Sequence, residues 1–227
     1  MRPDQLKWGR ESAGLTQQRA AARLGVSQAY LSLLESGQRR VTEQLGSQAA
    51  ELYRLPATAL PIEDDMHAAW DSGALAGALA DLGYQGFRQL RGRPQKNPAV
   101  VLLAALSASD LEVRVIEALP WLVVHYDDLD WEWLIHEVKQ RNLQNRLGFV
   151  VTLGRRLAEK CGLQAVSRRL RQNEEIVDRA RLAREDTLCQ DSLSGAERRW
   201  LRNSRPDTAR YWNLLTDLDS ENLTYAG

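Results

Sequence analysis

The chain has 227 residues, of which 44% are hydrophobic and 26% charged, and its 30 basic side chains balance 30 acidic ones. This composition is typical of a folded globular protein, and at about 150 residues per domain it predicts one or two domains. The longest apolar stretches, 99–106 and 118–124, are far shorter than the ~18–20 residues that span a bilayer. Residues 1–12 lack the apolar segment of a secretory signal. We therefore expect a cytoplasmic protein with no membrane association, in which Cys161 and Cys189 are thiols.

Charge is distributed unevenly along the chain. Residues 1–61 carry eight basic and five acidic side chains, a net charge of +3, which leaves −3 for residues 62–227. A small basic module joined to a larger, slightly acidic one indicates a domain that binds a polyanion, followed by a domain with a different function. Pro56 and Pro61, followed by an acidic stretch, mark the boundary. The predicted domains are therefore 1–61 and 62–227.

Residues 15–37 predict two short helices joined by a tight turn. Thr16 is suited to cap the first helix and Ser27 the second, because each hydroxyl can accept an otherwise unpaired backbone N–H. Gly25 follows the first helix as the residue that enters the left-handed conformation most easily, and Gly37 ends the second. Such a pair forms a helix-turn-helix unit. The predicted helices run over 17–24 and 28–35.

The apolar residues around this unit recur at helical spacing and predict its core. They are Leu6, Leu15, Ala21, Leu24, Val26, Leu31, Leu34, Leu45 and Leu52. The second helix is then left with an outward face of Ser27, Gln28, Ala29, Ser32 and Leu33. Because Gln can bond an adenine edge at two points and Ser can donate or accept, this face suits the major groove of DNA.

Residues 3–60 closely resemble the Xre/Cro-repressor family of DNA-binding domains. The matching residues are Arg10, Gly14, Leu15, Thr16, Gln17, Ala21, Leu24, Gly25, Val26, Ser27, Leu31, Ser32, Glu35 and Gly37. The resemblance implies a lambda-repressor-like, all-α fold and binding to double-stranded DNA. An alternative is a helix-turn-helix fold retained for protein contacts alone.

The resemblance also implies roles for individual residues. Arg10 would form a structural ion pair with Glu35 inside the domain, and Gln17 would touch a DNA phosphate at a helix N-terminus. Gln28, Ala29 and Ser32 would face bases, while Arg39 and Arg40 would lie near the backbone of the next helix. The DNA-binding candidates are therefore Gln17, Ser27, Gln28, Ala29, Ser32, Arg39 and Arg40.

Two positions depart from the family pattern. Ala20 stands where a leucine is usual, and Leu33 stands where a polar or basic residue is common. A smaller core contact and a less charged second helix predict weak intrinsic affinity of the module for DNA.

The remainder of the chain is predicted to be a larger all-α domain, which makes the fold class all-α throughout. Amphipathic patterns recur near 65–82, 98–107, 110–126, 130–160, 163–186 and 194–218. This domain also contains five tryptophans, Trp121, Trp131, Trp133, Trp200 and Trp212. They predict either core packing or an exposed aromatic patch for a partner, and the acidic, aromatic stretch 125–133 favours the patch.

Residues 139–171 form a strongly basic segment, with nine basic side chains and one acid, Glu159. Two interpretations stay open. The basic side chains can pair with acidic groups of neighbouring helices, or they can form a second face for nucleic acid or an acidic partner.

We predict no catalytic site, metal or cofactor. His67, His125 and His136 lack a metal-ligand spacing, and the sequence holds no glycine-rich phosphate loop, nucleophile elbow or Cys-x-x-Cys motif. An enzyme targeted by a helix-turn-helix module is therefore the least favoured hypothesis.

The favoured hypothesis is a sequence-specific transcriptional regulator, a repressor that binds a palindromic operator as a homodimer. Residues 62–227 would then serve dimerisation, effector binding or partner binding. The alternative is an antitoxin of a toxin–antitoxin pair, in which residues 64–227 bind a partner protein.

Overall fold

The computed structural model of the protein describes residues 1–62, 70–94 and 96–223, and the chain divides into two compact units. The first unit comprises Met1–Met66 with Pro94–Asn97, and the second comprises His67–Arg93 with Pro98–Gly227. Helices predominate in both, and the all-α prediction is confirmed.

The first unit contains four α-helices. They are α1 (Pro3–Ser12), α2 (Gln17–Arg23), α3 (Gln28–Glu35) and α4 (Glu43–Tyr53), followed by a 3-10 turn at Ala57–Ala59. Thr16, Ser27 and Thr42 cap α2, α3 and α4, because each hydroxyl accepts the backbone N–H of the residue three positions further on. The two helices predicted from residues 15–37 are thus present with their predicted caps.

The core of the first unit lies between these four helices. Six of the nine predicted core residues are buried, namely Leu6, Ala21, Leu24, Leu31, Leu34 and Leu45. Leu15, Val26 and Leu52 are half-buried at its edge. Ala20 is fully buried, so the smaller side chain at this departure from the family pattern still contributes to the core. A Cβ at Gly9 would lie 2.8 Å from Leu55 Cδ2, so α1 approaches the end of α4 closely.

Segment Pro94–Asn97 belongs to the first unit, although the sequence places it within 62–227. The side-chain amide of the buried Asn97 donates to the carbonyl of Thr58 at 3.0 Å and to that of Leu60 at 2.8 Å. These long-range bonds hold Asn97 against the last residues of the first unit. A domain boundary drawn from local composition cannot include such a distant segment.

The second unit contains eight α-helices in its described part. They are α5 (Ser72–Asp81), α6 (Pro98–Ser107), α7 (Val113–His125), α8 (Trp131–Gln140), α9 (Gln144–Lys160), α10 (Gln164–Asp178), α11 (Gly195–Ser204) and α12 (Asp207–Tyr211). Gln85–Leu90 and Ser220–Asn222 form 3-10 turns. A short parallel pair joins β1 (Asp186–Thr187) to β2 (Leu214–Leu215), with Asp186 opposite Leu214.

Helix α6 is buried in the second unit along nearly its whole length. Its residues 98–106 are all buried, as expected of a helix that is apolar on every side, and it packs against α5, α7 and α8. Helices α7 and α9 approach closely, since a Cβ at Gly154 would lie 2.5 Å from Val123 Cγ2. Helix α10 packs along α9.

Three predicted helical segments of this unit are wrong in extent. Segment 130–160 consists of two helices, α8 and α9, because Asn142 between them takes a left-handed φ of 58° that interrupts the helical backbone. Segment 194–218 breaks at Pro206, whose missing N–H and fixed φ end α11, and it then enters β2. Segment 163–186 stops at α10, before β1. In segment 65–82 the described helix is α5, while residues 65–69 lie outside the described chain.

Residues 186 and 212, which follow α10, are fastened to α9 by buried contacts. Arg146 donates to both carboxylate oxygens of Asp186, at 2.9 and 3.2 Å, and to the carbonyls of Leu106 and Ala108. Trp212 is fully buried over Gly148, where a Cβ would overlap its ring. Because such contacts join residues 38 or more positions apart, local sequence patterns carry no signal for them.

Candidate nucleic-acid interface

Helix α3 presents a polar face to solvent. Gln28, Ala29 and Ser32 are exposed, whereas Leu31 and Leu34 on the opposite side are buried in the core. Leu33 is half-buried at the border between the two faces, so it is less outward than its sequence position suggests. The exposed face is short, free of charge and able to donate and accept hydrogen bonds.

The turn before α3 fixes the start of this face. Gly25 has a φ of 69°, and nothing lies within 4 Å of the position its Cβ would occupy. Backbone conformation rather than space therefore requires glycine here. Ser27 Oγ accepts the N–H of Tyr30 at 3.1 Å, and the exposed Ser27 side chain begins the outward face.

A buried ion pair connects α3 to α1. Arg10 Nε donates to Glu35 Oε1 at 2.6 Å, and Arg10 Nη2 donates to Glu35 Oε2 at 3.0 Å. Arg10 Nη1 also donates to the carbonyl of Leu15 at 2.9 Å. The structure thus brings together the two residues that the family resemblance pairs, and their contacts reach three segments of the first unit.

The ionisation of Glu35 follows from these contacts. Burial opposes its charged form, but hydrogen bonds from Arg10 and Gln17 outweigh burial and lower the pKa of this carboxyl below its usual 4.5. The hydrogen bond to Glu35 in turn raises the pKa of Arg10. The pair is therefore fully charged at neutral pH.

Gln17 makes a contact that the sequence did not predict. Its Nε2 donates to Glu35 Oε2 at 2.9 Å, and the side chain is half-buried rather than free at the start of α2. The amide of Gln17 thus supports the Arg10–Glu35 pair, and the phosphate contact implied by the resemblance stays a prediction.

Exposed basic side chains lie on both sides of α3 in the chain. Arg39 and Arg40 follow the helix and are exposed, and the backbone N–H of Arg39 donates to the carbonyl of Leu33 at 3.1 Å. Arg19 and Arg23, one turn apart on α2, are also exposed. Neither was among the predicted DNA-binding residues, although their charge in a predicted helix next to α3 in the chain was a signal for them.

Much of the basic segment 139–171 is paired. Arg141, Arg146, Arg155, Arg169 and Arg171 form ion pairs with Glu137, Asp186, Glu174, Asp127 and Glu159 respectively. Four further cations of the segment are exposed and form no ion pair within the described chain, namely Lys139, Arg156, Lys160 and Arg168. Pairing therefore accounts for much of the segment, and the second interpretation stays a prediction for these four exposed side chains.

The tryptophans of the second unit also divide. Trp121 and Trp212 are buried, Trp131 and Trp133 are half-buried, and Trp200 on α11 is 59% exposed. Ile176 and Tyr211 are further large apolar side chains that the second unit exposes. The stretch 125–133 is thus only partly exposed, and the most exposed tryptophan of this unit lies elsewhere.

The remaining features that bear on function are the possible metal ligands, the two cysteines and the apolar helices. No three His, Cys, Asp or Glu side chains there are grouped to hold a metal ion, and His67 lies outside it. Cys189 is buried, which raises the pKa of its thiol to about 11, whereas Cys161 is exposed. None of the described helices combines the length and the apolar character needed to cross a bilayer.

Comparison with known proteins identifies the first unit. Residues 4–61 match a family model described as a helix-turn-helix domain, of the Xre-like kind, which covers α1–α4. Neither a curated protein nor a solved structure matches this chain. The matched domain indicates a DNA-binding regulator, and the second unit is not assigned to a family.

Proposed function

We propose that this protein is a transcriptional repressor that binds a palindromic DNA operator as a homodimer. The observation that carries the proposal is the outward face of α3, with Gln28, Ala29 and Ser32 exposed at the start of a capped helix. In helix-turn-helix domains this is the helix that enters the major groove, and its N-terminal residues contact base edges. We refer to α3 below as the recognition helix.

The dimer follows from the modest charge of one DNA-binding unit. Residues 1–61 have a net charge of only +3, so few phosphate contacts are available to one copy. Two copies on one DNA would raise the apparent affinity without any new base contact. The second unit is the larger surface for self-association, and it exposes Ile176, Trp200 and Tyr211.

Selection of duplexes from a random library by the full-length protein tests this proposal. We expect enrichment of a two-fold symmetric site whose half-sites are centred about 10 bp, or a multiple of it, apart. Substituting Gln28 or Ser32 should change the enriched half-site, because these side chains would face bases. Recovery of a non-symmetric site, or of no sequence at all, would contradict the proposal.

An antitoxin is the second candidate, and the exposed Trp200 favours it. Large aromatic side chains are enriched at the centres of protein–protein interfaces. Under this hypothesis the second unit would bind a toxin instead of, or in addition to, a second copy. Co-expression with the product of the adjacent reading frame distinguishes the two, since only an antitoxin would form a stable complex that suppresses that product's toxicity.

A further inference from the structure

We propose that the hairpin formed by α9 and α10 is a second DNA-contacting surface, which binds the phosphate backbone through Arg156, Lys160 and Arg168. The inference extends the proposed function, because it assigns a DNA contact to the second unit and a longer footprint to the protein. We call residues 155–171 the basic hairpin.

The basic hairpin has more positive charge than its neighbours neutralise. It contains six basic side chains and one acid, Glu159. Glu174 binds Arg155 and Asp127 binds Arg169, while Glu159 is shared by Arg155 and Arg171. Among the residues that the structure describes, these pairs leave an excess of three positive charges on the hairpin.

The excess consists of Arg156, Lys160 and Arg168. All three side chains are exposed, and no carboxylate in residues 1–62, 70–94 or 96–223 forms an ion pair with them. Within the described residues these cations thus differ from Arg155, whose guanidinium is held between two glutamates. Exposed cations of this kind remain available to an external polyanion.

Helix geometry places the three cations at one end of the hairpin. Arg156 and Lys160 are four residues apart and so share one face of α9. The chain reverses at Gly162, whose φ is 74°, and α10 returns along α9. Arg156 and Arg168 each lie six residues from Gly162, so they stand at about the same level of the two helices.

The surface fits nucleic acid better than an acidic protein. Interfaces between proteins usually contain large apolar or aromatic anchors. Of the large hydrophobic side chains that the described chain exposes, none lies in the basic hairpin. Phosphate contacts need no such anchor, because Lys and Arg bind the backbone by charge and hydrogen bonds.

A triple substitution, Arg156→Gln, Lys160→Gln and Arg168→Gln, tests the proposal in the full-length protein. Affinity for a mixed-sequence 40-bp duplex is measured from 50 to 200 mM NaCl. Each lost phosphate contact reduces the slope of log K against log salt by about 0.9, so the slope should fall by about 2–3. Circular dichroism and thermal melting should match the wild type, because none of the three side chains forms an ion pair with the residues that the structure describes.

The matched control is Arg179→Gln, Arg184→Gln and Arg199→Gln. These arginines are also exposed, belong to the second unit and form no ion pair in the described chain. They lie in stretches that also contain acidic residues, so the control should retain the wild-type slope. An unchanged slope in the hairpin variant, or an equal fall in both variants, would overturn the proposal.

Two further measurements separate this inference from the proposed function. The double variant Gln28→Ala, Ser32→Ala should lose preference for the selected site while its slope on mixed-sequence DNA is retained. If the selected site fails to emerge but the hairpin variant still loses slope, the hairpin inference stands and the repressor proposal fails. If the hairpin variant keeps its slope on DNA yet loses binding to poly-L-glutamate, an acidic protein occupies this surface and the hairpin inference fails.

Discussion

Arg10 of α1 and Glu35 of α3 are joined by two parallel hydrogen bonds, at 2.6 and 3.0 Å. Their side chains are only 10% and 3% exposed. Glu35 is the last residue of the recognition helix, so the pair connects that helix to α1 through the interior of the unit. The orientation of the exposed face of α3 therefore depends on two charged side chains that are buried inside the unit.

Arg10→Ala should destabilise the first unit by about 3–5 kcal/mol, because it leaves the Glu35 carboxylate buried without its cation. Hydrogen exchange of α1–α4 in the full-length protein measures this locally. By the usual conversion of about 1.4 kcal/mol per factor of ten, exchange should accelerate by roughly two to four orders of magnitude.

Arg2→Ala is the control for this prediction. Arg2 also pairs with a carboxylate, that of Asp4 at 3.7 Å, but both side chains lie largely in solvent. Exposed pairs contribute about 0–1 kcal/mol, so exchange should hardly change. Equal effects of the two substitutions would mean that the Arg10–Glu35 pair is not buried in solution.

The stability of the first unit should fall in acid through Glu35. The pKa of Glu35 is below 4.5 in the folded protein, so its contribution is complete above pH 4.5 and is lost as the pH falls through the lowered pKa. A carboxyl-carbon NMR titration reads this pKa directly. Glu35→Gln should be less stable than wild type at pH 7, and the difference should shrink in acid. A Glu35 that titrates at or above 4.5 would refute the assignment.

Tyr53→Phe should stabilise the first unit by roughly 1 kcal/mol. The Tyr53 hydroxyl is buried and has no hydrogen-bond partner in the described chain, so its removal relieves an unpaired polar group. Burial and the charge of Glu35 raise the pKa of Tyr53 to about 12, which an alkaline absorbance titration can observe. A loss of stability in urea unfolding of the variant would show that the hydroxyl is in fact bonded.

Gln28→Ala should weaken binding to the selected site by about 1–3 kcal/mol and leave affinity for mixed-sequence DNA nearly unchanged. The reason is that Gln28 lies exposed at the first position of α3, where it would face a base. Gln48→Ala on α4 is the control, since Gln48 is also exposed and lies in the same unit. DNA titrations at one fixed salt concentration compare the affinities of the wild type, Gln28→Ala and Gln48→Ala.

The full-length protein should be a dimer in solution, and residues 1–61 alone should be a monomer. The fragment should bind the selected site roughly 10²–10⁴-fold more weakly, because it loses the second copy. Light scattering measures the oligomeric state of both proteins, and DNA titrations measure their affinity for the selected site. The fragment lacks Asn97, which bonds to Thr58 and Leu60, so its helix content is checked first. A monomeric full-length protein that binds its site with full affinity would contradict the dimer.

The helix-turn-helix domain was predictable because its signals are local. Thr16 and Ser27 cap helices through bonds to the residue three positions on, and Gly25 supplies a turn conformation that other residues adopt at a cost. The same logic failed over 130–160, because a left-handed Asn142 divides two amphipathic helices whose patterns run on without a glycine or proline between them.

The sequence by itself determined the all-α class, the two helices of the helix-turn-helix unit and most of the outward face of α3, since caps, turn residues and apolar periodicity act within a few positions of the chain. Only the tertiary structure decided which charges are used by folding and which stay available. Gln17 supports the buried Glu35, and Arg155 is held by two glutamates, whereas its neighbour Arg156 forms no ion pair in the described chain. The physical reason is that an ion pair or a buried amide depends on distances between side chains brought together by packing, and charge composition along the chain carries no record of those distances.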